Sequence, residues 1–361
     1  MVVSQDLAIE EYVLDTPKRF GASMQRGLKM AAKCYTRKDI GSLKSGDAEG
    51  FTLIFCHGLG SHKEQWEPTL FRLFTMQNTE NPGDCSIREA WAFDWQSHGD
   101  SGVLNRSALI SRSTKAATTK PNHLALREWA AALKEFIHSP RMAGHQLVLI
   151  GHCVGMTALT HAISDRRICP SIKTLIMVDP IIITEQAWKA DLEKREGVMN
   201  HLLQETSARP DTWDSKEKAY VYFSRRYPWK QWNKEVLKVF VDEGLQPTSS
   251  GGCELKCTKE QEALHFLDRW VYAESTAHIS RLSQDISTHI IWGERHDNVS
   301  KEMQDVSLEP FKHRVSQTTI QNCGHMIIQE QPKVLASLIN AILTEVRVAD
   351  GKRNGKVANK L

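Results

Sequence analysis

The chain has 361 residues, of which 41% are hydrophobic and 25% are charged, and its formal net charge is +3 at pH 7. This length accommodates one large α/β domain with an insertion, or two modest domains, and the composition is that of an ordinary globular protein. The mild charge, with basic residues scattered along the chain, argues against a nucleic-acid-binding protein. No apolar run approaches the roughly 20 residues of a membrane-spanning helix.

The cysteines indicate a reducing compartment. All 8 are spread singly along the sequence, and no secretory signal is recognisable. Reduced intracellular thiols are therefore expected rather than a disulfide framework. Cys253 and Cys257 have no second cysteine or histidine pair at zinc spacing, so the sequence predicts neither a metal site nor a bound cofactor.

Strand-length apolar runs that alternate with helical segments predict an α/β fold with a mostly parallel sheet flanked by helices. The first two runs predict a hairpin at the sheet edge. The Ser-, Thr- and Lys-rich stretch 104–121 is typical of a mobile surface loop, and helices are expected over 121–137 and 332–346. The strands are expected at residues 7–14, 28–35, 51–56, 90–95, 147–150, 172–178, 288–293 and 315–320.

The domain organisation follows from a change of pattern after residue 180. Residues 181–284 are richer in Lys and Glu, have helical character and predict a helical lid inserted between two strands of the core. The core is then formed by residues 1–180 and 285–348, and residues 349–361 predict a disordered basic tail. Tryptophans of the lid either line an apolar acyl pocket or pack the lid itself, namely Trp188, Trp213, Trp229, Trp232 and Trp270.

The pentapeptide Gly-His-Cys-Val-Gly at residues 151–155 ends an apolar strand and precedes a helix-compatible segment. This context predicts a nucleophile elbow, a sharp turn that presents a reactive side chain at the carboxyl end of a strand. Gly151 and Gly155 leave room for the helix that passes close to the strand. Cys153 occupies the nucleophile position and favours thioester or acyl-transfer chemistry; the alternative is a chance motif around a buried structural thiol.

A thiol nucleophile needs a base within hydrogen-bond reach, and the base needs an orienting carboxylate. His325 is the predicted base, because it follows the last core strand, where the order nucleophile, acid, histidine places it. Two aspartates are candidates for the acid. Asp297 follows the penultimate strand, whereas Asp179 follows the strand after the elbow, and the sequence leaves the choice open.

Two backbone N–H groups are predicted to stabilise the oxyanion that forms when the nucleophile attacks. One belongs to Leu59, in the glycine-containing loop after the strand at 51–56, and the other to Val154, directly after Cys153. His57, in the same loop, is expected to fix the loop rather than to act as a second base.

Five motifs together resemble the α/β-hydrolase superfamily over residues 28–346, and this resemblance implies the α/β-hydrolase fold. They are His-Gly-Leu-Gly at 57–60, Asp94 with Ser97-His98-Gly99, the pentapeptide at 151–155, Trp-Gly at 292–293 and Gly-His at 324–325. More narrowly, the N-terminal hairpin, Val-Asp-Pro at 178–180, the lid and the C-terminal ending resemble fungal peroxisomal α/β-hydrolases of secondary metabolism. That group includes the acyl-CoA hydrolase of mycophenolic acid biosynthesis and hydrolases of host-selective toxin pathways. The resemblance implies Asp179 as the acid, and Cys153 departs from the serine that is usual there.

The narrower resemblance implies a hydrolase that acts on a small-molecule acyl thioester or ester of a fungal metabolite through an acyl-enzyme on Cys153. An acyltransferase or cyclase with the same residues is the first alternative, since the peroxisomal bile-acid conjugating acyltransferases resemble this arrangement in pairing a cysteine elbow with an acyl-CoA donor. A non-catalytic ligand-binding protein is the second. The ending Asn359-Lys360-Leu361 resembles the Ser-Lys-Leu peroxisomal signal and implies an import receptor as partner, with the cytoplasm as the other location.

Overall fold

The computed structural model describes residues 6–17, 27–38, 50–80, 87–116, 125–164, 171–190, 192–267, 270–297 and 300–358. The strands are β1 (Leu7–Asp15), β2 (Lys29–Arg37), β3 (Phe51–Cys56), β4 (Ile87–Phe93), β5 (Gln146–His152), β6 (Ile172–Val178), β7 (Thr212–Trp213), β8 (Leu245–Pro247), β9 (Cys253–Leu255), β10 (Ser287–Gly293) and β11 (Ser316–Ile320). The helices are α1 (Glu67–Glu80), α2 (Gly99–Ala116), α3 (Ala125–Ile137), α4 (Val154–Ala162), α5 (Glu185–Ala190), α6 (Leu192–Ala208), α7 (Lys216–Ser224), α8 (Lys234–Gly244), α9 (Lys259–Leu264), α10 (Val271–Leu282), α11 (Lys301–Leu308), α12 (Ile327–Glu330) and α13 (Pro332–Ala358).

The main sheet has the strand order β1-β2-β4-β3-β5-β6-β10-β11. β1 pairs with β2 and β2 with β4 in antiparallel fashion, whereas the remaining neighbours are parallel. The mostly parallel sheet and the N-terminal edge hairpin are therefore confirmed. Parallel strands place their carboxyl ends at one edge, so the segments after β3, β5, β6, β10 and β11 converge there.

Helices cover both faces of the sheet, which explains the continuous apolar runs at residues 53–56 of β3 and 147–150 of β5. One hydrophobic core joins β5 to α3 and α4 through residues such as Leu149, Trp129 and Leu159, all with 0% exposure. The other joins β3 to α1 and α13 through residues such as Leu70 and Ile339. None of the described helices is both long and apolar enough to cross a membrane.

The loop predicted over residues 104–121 is wrong for residues 104–116, because α2 runs from Gly99 to Ala116, and residues 117–121 lie outside the described residues. Two polar residues in its first turns, Ser101 and Asn105, are buried and form hydrogen bonds with β2. Ser101 Oγ accepts a 2.8 Å hydrogen bond from Ala31 N, and Asn105 Nδ2 donates to Lys29 O at 2.7 Å. A composition rich in Ser and Asn favours a loop only when such partners are lacking.

The sequence predicted a helical insertion between β6 and β10, but this insertion also contains strands. β7, β9 and β8 form a small antiparallel sheet in that order, with β8 and β9 joined by the Ser- and Gly-containing turn 248–252. Its strands have two or three residues, too few to show a periodic pattern. The central part of the insertion has its own core, which contains Phe223, Trp232 and Phe240.

The C-terminal helix extends past its expected end at residue 346. α13 continues to Ala358, so residues 349–358 are helical and do not form the predicted disordered tail. An ion pair at 2.8 Å between Lys173 Nζ and Asp350 Oδ2 ties this part of the helix to β6. The signal-like residues Asn359, Lys360 and Leu361 lie outside the described residues.

Candidate active site

Cys153 lies on a strained turn between β5 and α4. Its backbone has φ 51° and ψ −122°, a conformation that residues other than glycine rarely adopt. The Cys153 N–H donates a 3.1 Å hydrogen bond to Val178 O of β6, which anchors the turn to the neighbouring strand. The side chain is 5% exposed. Such strain persists only where surrounding structure imposes it, and it is concentrated at functional sites.

The two glycines of the pentapeptide are required by close backbone contacts. A Cβ at Gly151 would lie 2.5 Å from both Met156 Cα and Met156 N of α4. A Cβ at Gly155 would lie 2.4 Å from Cys56 O and 2.6 Å from His57 O, at the end of β3. These distances are far below van der Waals contact, so the elbow holds the nucleophile against both β3 and α4.

Gly155→Ala is expected to lower the free energy of unfolding by about 3 kcal/mol or more, because the added methyl group displaces backbone atoms in a packed core. The matched control is Gly197→Ala in α6, where an added Cβ meets nothing within 4 Å. That change is expected to stabilise the protein by up to about 1 kcal/mol. Urea unfolding of both variants tests the account, and a Gly155→Ala protein as stable as the wild type would contradict it.

His325 and Asp179 meet beside Cys153. His325 Nδ1 lies 2.5 Å from Asp179 Oδ2, and Cys153 is near enough to act electrostatically on the His325 ring. Asp179 has φ 38°, and its Oδ1 accepts a 3.1 Å hydrogen bond from Gly293 N at the end of β10. The carboxylate is thereby fixed between the ends of β6 and β10, with one oxygen facing the histidine.

The electrostatic environment of His325 favours its protonated form. Burial alone would lower the pKa of His325, but the charge of Cys153 and the hydrogen bonds to Asp179 and Cys153 outweigh it and raise this pKa well above 6.5. The side chain is 14% exposed, so the ring can meet both the buried carboxylate and a ligand. A histidine so placed can accept a proton from the thiol and keep it.

Asp297, the other candidate acid, has different partners. It lies 3.7 Å from Arg295 Nη2, and after burial its charge is the main cause that raises the pKa of Tyr227 in the insertion. Arg295 in turn pairs with Glu330 at 2.8 Å and donates to Asn322 O at 3.1 Å. This network braces the loop that carries His325, and it explains Gly324, whose Cβ would lie within 2.6 Å of Arg295 Nη2 and still closer to Asp297.

The predicted oxyanion donors lie on either side of Cys153. A Cβ at Gly58 would be 3.4 Å from Cys153 Cβ, so the loop that carries Leu59 rests against the elbow. Val154 is the first residue of α4, where backbone N–H groups have no partner within the helix. Within the described part of the chain, nothing accepts a hydrogen bond from the Leu59 or Val154 N–H. Both groups are available to a ligand.

Two buried histidines near the elbow act as braces. His57 Nε2 accepts a 3.1 Å hydrogen bond from Trp95 N, and Nδ1 donates to Gly58 O at 2.7 Å, so His57 fixes the loop as expected. His152, inside the pentapeptide, donates from Nε2 to His325 O at 2.9 Å. Sequence reasoning missed this role, although the position of His152 beside the nucleophile could have indicated it.

Stability should decrease in acid because buried histidines are kept neutral. Burial lowers the pKa of His57, His152 and His265 to about 3 each, whereas the same groups titrate near 6.5 in the unfolded chain. Below pH 6.5 the unfolded state therefore binds more protons, and each histidine removes about 1.4 kcal/mol per pH unit. His325 does not compensate, since its raised pKa gives a contribution that is complete below pH 6.5 and is lost only as pH rises.

We expect these three histidines to lower the free energy of unfolding by about 4 kcal/mol between pH 6 and pH 5. Urea unfolding at several pH values measures this slope. His265→Gln, which removes one of these groups, should reduce the fall by about 1 kcal/mol. A free energy of unfolding that is flat from pH 7 to pH 5 would show that these rings are not held neutral.

Most of the lid tryptophans pack into hydrophobic cores of the protein rather than lining a ligand pocket. Trp213, Trp229 and Trp232 contribute to the core of the insertion, and Trp188 is buried in the main core. Trp270 is 47% exposed. The packing interpretation of these residues is therefore the better one.

Comparison with known proteins identifies the family. A sequence model described as the alpha/beta hydrolase family matches residues 53–338. The chain belongs to the alpha/beta hydrolase family. No protein of curated function matches it in sequence. The matched region includes Leu59, Cys153, Asp179, Asp297 and His325, and membership of the family supports an enzyme with hydrolase chemistry.

Solved structures of alpha/beta hydrolases share the fold at low sequence identity. Peroxisomal alpha-beta-hydrolase Lpx1 from Saccharomyces cerevisiae is similar with a TM-score of 0.73 and 18% identity, over 96% of this chain and 91% of that one. The thioesterase domain from the curacin biosynthetic pathway has a TM-score of 0.60 and 15% identity, over 92% and 99%. Esterase Rv0045c from Mycobacterium tuberculosis has a TM-score of 0.56 and 14% identity, over 94% and 91%. These similarities establish the fold that the sequence predicted.

Proposed function

We propose that the protein hydrolyses an acyl thioester or an ester through a covalent acyl-enzyme on Cys153. His325 acts as the base, Asp179 as the acid that orients it, and the N–H groups of Leu59 and Val154 as oxyanion donors. The observation that carries this proposal is the position of His325 at the carboxyl edge of the sheet, where it binds Asp179 through Nδ1 and interacts electrostatically with Cys153 on the elbow.

The reaction takes place in two acyl transfers. His325 accepts the thiol proton while the sulfur of Cys153 bonds to the acyl carbon, and the two N–H groups hydrogen-bond the oxygen that becomes negative. The bond to the leaving group breaks, and His325 donates its proton to the departing thiol or alcohol. Water then gives a proton to His325 and adds to the acyl carbon. The C–S bond breaks, the carboxylic acid leaves and the proton returns to sulfur.

A cysteine at the elbow also supports acyl transfer as a second candidate function. A thioester intermediate reacts with amines and carbon nucleophiles more readily than an ester does, so an acceptor other than water can complete the reaction in an acyltransferase or a cyclase. The same residues serve both reactions, and the acceptor decides between them.

For the substrate and the location, we propose an acyl derivative of a fungal secondary metabolite and the peroxisome. The resemblance of the motifs to fungal peroxisomal α/β-hydrolases supports both, and Lpx1 is named a peroxisomal hydrolase. A fluorescent protein fused to the N-terminus should overlap with a peroxisomal marker in fungal cells, and deletion of Asn359, Lys360 and Leu361 should disperse it. If the full-length fusion and the fusion that lacks these three residues have the same distribution in the cell, the C-terminal residues are not a peroxisomal signal.

The activity is tested with a panel of acyl-CoA thioesters and p-nitrophenyl esters of increasing chain length, with and without amine acceptors. Chromatographic identification of the products separates the two functions. Release of the free acid supports the hydrolase, and formation of an amide supports the transferase. No product from any donor, together with a Cys153 that does not react with iodoacetamide, would favour a ligand-binding protein on this fold.

A further inference from the structure

A line of buried hydrogen bonds connects the insertion to the loop that carries Leu59. Gly60 N donates to His98 Nε2 at 3.2 Å, His98 Nδ1 lies 3.0 Å from Ser97 Oγ, and Ser97 Oγ lies 2.9 Å from His265 Nε2. Gly60 directly follows Leu59, whereas His265 belongs to the insertion, just after α9. We call Gly60, His98, Ser97 and His265 the lid relay.

The donors and acceptors of the lid relay have one consistent order. His98 Nε2 accepts from Gly60 N–H, so the neutral ring carries its proton on Nδ1 and donates it to Ser97 Oγ. The Ser97 hydroxyl proton then has His265 Nε2 as its acceptor among the described residues. The hydrogen bond from Gly60 thus fixes the tautomer of His98, and Ser97 connects the His98 ring to His265 of the insertion.

The surroundings hold the lid relay in place. Trp95 stacks on His98 with ring centroids 5.2 Å apart and lies 3.6 Å from the His265 ring. All three rings are buried, which strengthens their hydrogen bonds and makes an unpaired nitrogen unfavourable. The insertion contacts Gly60 a second time, since a Cβ there would lie 2.9 Å from Glu262 Oε1.

Leu59 lies between two anchored peptide planes. The plane that contains its own N–H also contains Gly58 O, which accepts hydrogen bonds from His57 Nδ1 at 2.7 Å and Ser61 N at 3.3 Å. The next plane contains the Gly60 N–H, which His98 accepts. The two planes are joined through Leu59 Cα, so anchoring the second plane restrains the backbone angles of Leu59 and limits the tilt of the first plane, which contains its N–H.

We propose that the lid relay makes His98, Ser97 and His265 positioning residues for the oxyanion donor Leu59, so that the seating of the insertion controls how well the acyl oxygen is stabilised. This inference rests on the proposed function of Leu59. If the insertion is displaced, the lid relay no longer holds Leu59 in place. The Cys153 thiol then stays reactive, but the transition state loses the hydrogen bond from the Leu59 N–H.

The test compares Ser97→Ala with Ser275→Ala. Ser97→Ala removes the hydroxyl that joins His98 Nδ1 to His265 Nε2, so the His98 ring is no longer tied to the insertion and holds the Gly60 N–H less firmly. Ser275 is also buried and shares a 2.7 Å hydrogen bond with Thr160, far along α4 from the elbow, so its replacement is a matched loss of a buried hydroxyl.

Hydrogen–deuterium exchange, followed by mass spectrometry of peptides covering residues 57–62, reports the Gly60 N–H without any substrate. We expect exchange there to become at least about tenfold faster in Ser97→Ala and to stay at the wild-type rate in Ser275→Ala. Unchanged exchange in Ser97→Ala would overturn the proposal, whatever the enzyme proves to hydrolyse.

Kinetics provides the second readout. With p-nitrophenyl butyrate, Ser97→Ala should reduce kcat about tenfold with little change in KM, since complete loss of an oxyanion donor costs roughly 100-fold or more. Alkylation of Cys153 by iodoacetamide, which has no oxyanion, should keep its rate within about twofold. Equal kcat values for Ser97→Ala and Ser275→Ala would overturn the positioning role. A wild type without acyl turnover would overturn the proposed function and this extension of it, even if exchange at Gly60 responds.

Discussion

Replacing Cys153 by alanine is expected to lower kcat toward acyl substrates by at least about 10⁴-fold, because no other group at the site can form the acyl-enzyme. The elbow should remain folded. Cys153 is held at φ 51° by contacts of its neighbours Gly151 and Gly155, and its side chain contributes only a small apolar volume. Circular dichroism and the urea midpoint provide the check that the variant is native.

Cys153→Ser is the matched control, since it preserves shape and offers the nucleophile usual at such elbows. A hydroxyl is a weaker nucleophile than a thiolate, and a site built around a thiol deprotonates it less readily. We expect partial activity toward esters and a larger loss toward thioesters. A Cys153→Ala enzyme with wild-type turnover would show that the chemistry does not pass through this residue.

Asp179→Asn is expected to lower kcat by about 10³- to 10⁴-fold, because an amide beside His325 Nδ1 stabilises the wrong tautomer and does not stabilise the imidazolium. The substitution is nearly isosteric, and asparagine tolerates the positive φ of 38° at this position. Loss of the carboxylate also removes one of the groups that raise the pKa of His325, so this pKa should fall.

Asp297→Asn provides the control for Asp179→Asn. Asp297 pairs with Arg295 and braces the His325 loop, so its replacement should change kcat by no more than about threefold. The two kcat values, measured with the same ester and thioester, decide which aspartate is the acid. A large loss in Asp297→Asn with an active Asp179→Asn would reverse the assignment.

The predictable part of the architecture depended on local pattern. The fully apolar runs of β3 and β5 showed strands buried on both faces, and the glycines around Cys153 showed where β5 turns into α4. Both features follow from residues adjacent in sequence, and the structure explains the glycines by contacts with Cys56, His57 and Met156. The chain order of the elements also put His325 after the last strand.

The choice between Asp179 and Asp297 could not be made from residue patterns, because it depends on contacts across strands. Asp179 reaches His325 since its backbone N–H binds Ile291 O at 2.8 Å and its carboxylate binds Gly293 N. Asp297 instead pairs with Arg295, whose other partners, Asn322 and Glu330, are distant in sequence. Helix α2 was missed for the same reason, because Ser101 and Asn105 form hydrogen bonds with backbone groups of β2, which is distant in sequence.

The lid relay shows the limit of motif-based reasoning. Ser97 and His98 belong to a motif that resembles the superfamily, but their partner His265 is separated from Ser97 by 168 positions in the sequence. Nothing local to His265 distinguishes it from the other histidines of the chain. Only the folded arrangement of the insertion over Trp95 and Gly60 brings these groups together.

Intact-protein mass spectrometry after brief mixing with octanoyl-CoA tests the central claim most directly, with Cys153→Ala treated in parallel. We expect an octanoyl adduct that maps to Cys153, is lost on further incubation in water and never forms on the alanine variant. An adduct on another residue, or octanoyl-CoA hydrolysis that proceeds equally well in Cys153→Ala, would contradict it.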